Sequence, residues 1–99
     1  MFLYRAGMAK ARKKDYLGAI ADYTAAIESP HIPDDVKGMA SYNRALAYAA
    51  VNEDRKAAED LAAMLNMSGL PENVLREARQ RRERIRRRLL ADEVSDSEA

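Results

Sequence analysis

His31 is the only histidine in the sequence, and Asp34 and Asp35 follow it closely. An imidazole beside two carboxylates is the one grouping here that could bind a metal ion or relay a proton. Neither chemistry is expected. No second cluster of ligating side chains completes a coordination shell, and acids at a helix start serve as caps and as partners of the helix dipole. With no cysteine, one loop histidine and no serine in a strained turn motif, a nucleophile and base pair is missing. The four glycines, Gly7, Gly18, Gly38 and Gly69, are scattered, so no phosphate-cradling loop forms. The expectation is a protein that is not an enzyme and needs no cofactor and no metal.

The second chemical feature is arginine. The net charge of +1 conceals eight arginines against three glutamates within residues 71–91, followed by four acids in the last eight residues. Arg79, Arg82, Arg86 and Arg87 are the candidates for contact with nucleic acid or another polyanion. The plainer reading is a solvated helix face: Glu72, Glu77 and Glu83 each precede an arginine by four positions, the favourable orientation for an ion pair. No aromatic residues are interleaved for base stacking, so the plainer reading is preferred and nucleic acid is the alternative partner. Arg12, Lys13 and Lys14 likewise read as cations complementing a helix C-terminus.

Helices must position these residues. Apolar and small side chains recur at helical spacing over 2–13 and 16–28, and Ala19, Tyr23, Ala26 and Ile27 form the stripe of the second helix. Gly7 inside the first helix marks a close approach of its neighbour. Pro30 and Pro33 bound a loop, after which a third helix is expected over 34–50. Asn52 is expected to cap a fourth helix over 53–66, Ser68 and Gly69 to end it, and Pro71 with Glu72 to open a fifth. In that last helix Val74, Leu75, Ala78, Ile85 and Leu89 make one apolar stripe that runs to about Ala91. The tail 92–99, acidic and poor in apolar residues, is expected to be disordered.

Sliding the sequence against itself until Tyr4 falls on Tyr42 also pairs Ala9 with Ala47, Ala11 with Ala49, Ala19 with Ala57 and Asp22 with Asp60. Gly7 with Ala45, Met8 with Leu46, Asp15 with Glu53 and Tyr23 with Leu61 extend the register. The chain carries an internal repeat.

With Gly7, Ala19, Tyr23 and Ala26 in the first copy and Ala45, Tyr48, Ala57 and Leu61 in the second, the sequence resembles the tetratricopeptide repeat family, whose unit is a helix pair of about 34 residues. The string YNRALAY is similar to a first helix of that family, while Leu3 and Ser41 stand where its usual Trp would be. The resemblance covers residues 2–66. It implies an all-α, right-handed solenoid of helical hairpins with five helices: repeat one at 2–30, repeat two at 34–67 and a capping helix at 71–91, together a domain over 1–91. It also implies a scaffold whose first helices line a concave face that binds a peptide segment of a protein partner. The residues expected there are Tyr4, Met8, Ala11 and Arg12 from the first helix and Tyr42, Asn43, Leu46 and Ala50 from the third. Chaperone-adaptor members hold a carboxylate with a clamp of which only Asn43 matches here, so the expected ligand is apolar or amphipathic.

Two repeats fall below the usual minimum for stability, so a homodimer or a longer array is a further expectation. The apolar run before the first charges is too short for a signal peptide or a membrane span. With no cysteine, this fits a soluble, cytoplasmic protein and no membrane partner.

Overall fold

The computed structural model describes residues 2–98. Five helices follow in order: α1 (Phe2–Arg12), α2 (Tyr16–Ile27), α3 (Asp34–Ala50), α4 (Asp54–Leu65) and α5 (Glu72–Glu98), with no strand among the described residues. Each helix packs against the next, and α1 also touches α3. No helix among these residues is long and apolar enough to cross a membrane.

The hairpin α1–α2 recurs as α3–α4 in the register of the internal repeat, down to the backbone of the turn. Lys14 adopts φ 64° and Asn52 φ 63°, the left-handed conformation that ends a helix. Beyond them the Asp15 amide donates to the Lys10 carbonyl and the Glu53 amide to the Tyr48 carbonyl, both at 2.9 Å. This corrects the expectation that Asn52 caps α4. Asn52 closes α3, and Glu53 occupies the N-cap without a side-chain hydrogen bond. In the first hairpin the cap is complete, since Asp15 accepts from the Gly18 amide at 3.0 Å.

Packing explains the small residues. A Cβ on Gly7 would stand 2.7 Å from the ring of Tyr23, so α1 lies directly on that ring. Ala19 and Ala57, equivalent in the two hairpins, are both fully buried. The larger core unites Tyr42 and Ala45 of α3 with Ala57, Leu61 and Met64 of α4 and Ala78 and Ile85 of α5, and Val74, Leu75 and Leu89 flank it. Exchanging water for this apolar contact is the main driving force holding the helices together.

Charge is also used inside. Arg44 of α3 forms a two-pronged pair with Asp60 of α4, Nε to Oδ2 at 2.7 Å and Nη2 to Oδ1 at 2.6 Å, and Nη1 donates to the Thr24 hydroxyl of α2 at 3.1 Å. One guanidinium thereby ties the second hairpin to the first. Asp22, the equivalent of Asp60, instead meets Lys10 at 2.8 Å.

α5 is longer than the sequence reading allowed. Residues 92–98, expected as a disordered tail, continue the helix to Glu98, and Ala99 lies outside the described residues. No glycine or proline interrupts the chain after Pro71, and two contacts reach back to α4: Arg88 with Asp54 at 3.0 Å and Arg55 with Glu93 at 3.6 Å.

Candidate docking groove

The repeat register continues into α5. Asn43 Nδ2 donates to the Tyr4 hydroxyl at 2.8 Å, and Arg81 Nε donates to the Tyr42 hydroxyl at 3.1 Å. Arg81 lies as far beyond Asn43 in the sequence as Tyr42 lies beyond Tyr4. One hydrogen bond from α5 to α3 thus repeats the sequence spacing of one from α3 to α1. The same step leads from Leu46 to Arg84 and from Ala50 to Arg88. Three arginines therefore stand where α3 presents an amide, a leucine and an alanine.

Between α3 and α5 runs a groove of about 450 Å³. Its floor is Ala45, Leu46, Ala49, Leu61 and Ile85, and its wall carries Arg81, Arg84 and Arg88. Two of these guanidiniums are held. Arg81 donates to Glu77 at 3.0 and 3.1 Å as well as to Tyr42. Arg88 reaches both oxygens of Asp54, at 3.1 and 3.0 Å. Arg84, between them, has no acidic group in ion-pair reach among the described residues.

These contacts register in the proton equilibria. The Tyr42 hydroxyl and then Arg81 hold the Glu77 carboxyl below the usual carboxylate range. Burial pushes the Tyr42 phenol upward, as it does for Tyr4 and Tyr23. The carboxylate of Asp54, ahead of all other influences, raises the affinity of Arg88 for its proton.

A second hollow, about 260 Å³, opens between α1, α2 and α3 and is lined by Ala11, Tyr16, Asn43, Leu46 and Ala50 among others. Leu46 and Ala50 border both hollows, so the two adjoin across α3 as a trough of two parts. No protein-family model, curated protein or solved structure matches this chain. Its functional reading therefore stands on these residues.

The trough gathers four of the eight residues expected to contact a partner: Ala11, Asn43, Leu46 and Ala50. Tyr42 is a correction. It is only 7% exposed, packed within the core and sealed by α5, because its ring supports the α3–α5 contact and its hydroxyl is taken by Arg81. Tyr4 is half-buried and its hydroxyl is engaged by Asn43. Met8 and Arg12 line neither hollow. Asn43 uses both amide protons, one on Tyr4 and one on the Met39 carbonyl at 3.0 Å.

Of the arginines expected to meet a polyanion, none lines the groove. Arg79 pairs with Glu72 at 3.0 Å, a partner expected for Arg76 instead, and Arg86 and Arg87 share Glu83 at 3.6 and 3.5 Å. Arg82 has no such partner among the described residues. The groove arginines Arg81, Arg84 and Arg88 were missed. Extending the repeat register once more, from Asn43, Leu46 and Ala50, was the signal that could have found them.

His31 is exposed, in a loop whose residues Ile32 and Pro33 share with Phe2 and Leu3 a hollow of about 420 Å³ at the other end of the molecule. Asp35 lies in the first turn of α3 and accepts from the Val36 amide at 2.8 Å, while Pro33 holds the N-cap position without a side-chain hydrogen bond. Among the described residues no three His, Asp or Glu side chains come together as a metal site.

Proposed function

We propose that this chain is a non-catalytic protein-interaction module of the tetratricopeptide kind. It is a short right-handed solenoid in which α1, α3 and α5 are successive first helices, and their common face takes an amphipathic segment of a partner protein. The observation that carries this reading is the trough shared by two hollows across Leu46 and Ala50, apolar at its floor and charged along one wall. A floor of alanines and single larger side chains admits a backbone closely, while the wall orients it. α5 has two roles: it covers the core of the second hairpin and it builds the groove. A polyanion partner at Arg79, Arg82, Arg86 and Arg87 is the weaker reading, since three of these four are already held by Glu72 and Glu83. The absence of cysteine fits work in a reducing, cytoplasmic setting.

The test is Leu46→Glu, which places a charge in the floor that both hollows share. It should abolish binding of amphipathic peptides in calorimetry while the far-ultraviolet circular dichroism and melting of the protein persist. Unchanged affinity would remove the trough from the account.

A further inference from the structure

The wall of the α3–α5 groove narrows the class of partner, an inference that rests on the docking role proposed above. Arg81, Arg84 and Arg88 recur at the first, fourth and eighth positions of one helical stripe, and no acidic side chain among the described residues lines the groove with them. Glu77 and Asp54 hold the outer two guanidiniums in place from outside it. Of the three, Arg84 alone has no acidic partner among the described residues. An apolar ligand settling on Leu46, Ala49 and Ile85 would strip water from Arg84 and return nothing to it. Arg84 is exposed, and covering part of its guanidinium without a partner offsets some of the apolar gain. A carboxylate supplied by the ligand removes that penalty and gains a charge-assisted, two-pronged hydrogen bond.

We infer that the groove selects an acidic amphipathic helix, with its apolar face on Leu46 and Ile85 and carboxylates along the adjoining face toward Arg84 and its two neighbours. Ala45 and Ala49 present almost no side chain, so the ligand's backbone comes close. Nucleic acid does not fit: the floor offers no aromatic face for stacking, since Tyr42 is buried and the ring of Tyr48 carries Arg44 and Lys56 at 5.6 and 5.8 Å.

The experiment titrates the full chain with a C-terminally amidated helix of about 18 residues, leucine on one face and glutamate on the adjoining face. The controls are its Glu→Gln counterpart, a scrambled acidic peptide and a single-stranded oligonucleotide. The glutamate helix is expected to bind about tenfold more tightly than the glutamine helix at low salt, an advantage that shrinks as salt screens it. Arg84→Gln should erase most of that difference without altering the melting of the protein, since Arg84 is exposed and makes no hydrogen bond or ion pair among the described residues. Equal affinity for the two helices would overturn the acidic partner and leave the docking role standing. Failure of both helices to bind would end both. Binding of the scrambled peptide or the oligonucleotide as tight as that of the glutamate helix would overturn the inference in favour of a general polyanion surface.

Discussion

Asp60→Ala is the sharpest perturbation of the fold. The carboxylate is 9% exposed and accepts two hydrogen bonds from Arg44, whose side chain is 19% exposed and also held by Thr24. Removing it leaves a guanidinium four-fifths covered with no countercharge. Breaking a fully buried pair costs about 3–5 kcal/mol. The open fifth of Arg44 lets water return, so a loss of about 2–3 kcal/mol is expected, after the discount that exposure requires. For a domain of this size that lowers the melting temperature by roughly 8–24 °C, at about 4–8 °C per kcal/mol. Two controls sit in the same molecule. Asp22→Ala removes the equivalent carboxylate of the first hairpin, whose Lys10 partner is a flexible, well-exposed chain that water can take over, so its effect should be much smaller. Arg44→Met in the Asp60→Ala background removes the stranded charge and should recover a large part of the loss. Urea unfolding followed by circular dichroism at neutral pH measures all three. If Asp60→Ala shifts the midpoint no more than Asp22→Ala, the guanidinium is not the tie between hairpins described above.

Three further outcomes are expected. Ala19→Leu and Ala57→Leu should each cost about 1–3 kcal/mol, because both sites are fully closed and a larger side chain must force the hairpin apart; urea midpoints check it. Above about pH 10 stability should fall steadily: burial raises Tyr4, Tyr23 and Tyr42, so the unfolded chain releases its phenolic protons first and gains free energy that the native state does not share until the higher folded values are passed. Urea midpoints between about pH 8 and roughly pH 11 report this, and Tyr23→Phe should flatten the slope. Truncation after Met67 should yield an aggregated or unfolded product on a sizing column, because it uncovers Tyr42, Leu61 and Met64 together.

Much of the architecture was legible in local signals. Pro30, Pro33 and Pro71 punctuate the chain, and the stripe Ala19, Tyr23, Ala26 points to a helix that buries one face, as α2 does. The internal repeat was visible because Tyr4, Ala19 and Asp22 recur as Tyr42, Ala57 and Asp60. It faded in the third helix of the series, where Asn43 becomes Arg81 and Leu46 becomes Arg84. The residue types changed while one hydrogen bond between helices kept its spacing, and a comparison of residue types cannot see that. Asn52 misled for a related reason. Asparagine suits both an N-cap and a left-handed helix end, and only the equivalence with Lys14, a poor cap, distinguishes them. Tyr42 was assigned to a partner because the resemblance implies that the first helices line a binding face; α5 of the same chain covers it instead. The acids after Ala91 were read by composition, which carries no information about a helix continuing from stable turns before it.

The most direct test of the docking role is a map of backbone amide shifts, taken by heteronuclear magnetic resonance on the labelled protein as an acidic amphipathic helix is added. The account predicts that the largest shifts fall on Leu46, Ala49, Ala50, Arg84 and Arg88, along the α3 and α5 sides of one groove. Shifts concentrated instead at Phe2, Leu3 and Ile32, or along Arg79, Arg86 and Arg87, would place the partner elsewhere and contradict it.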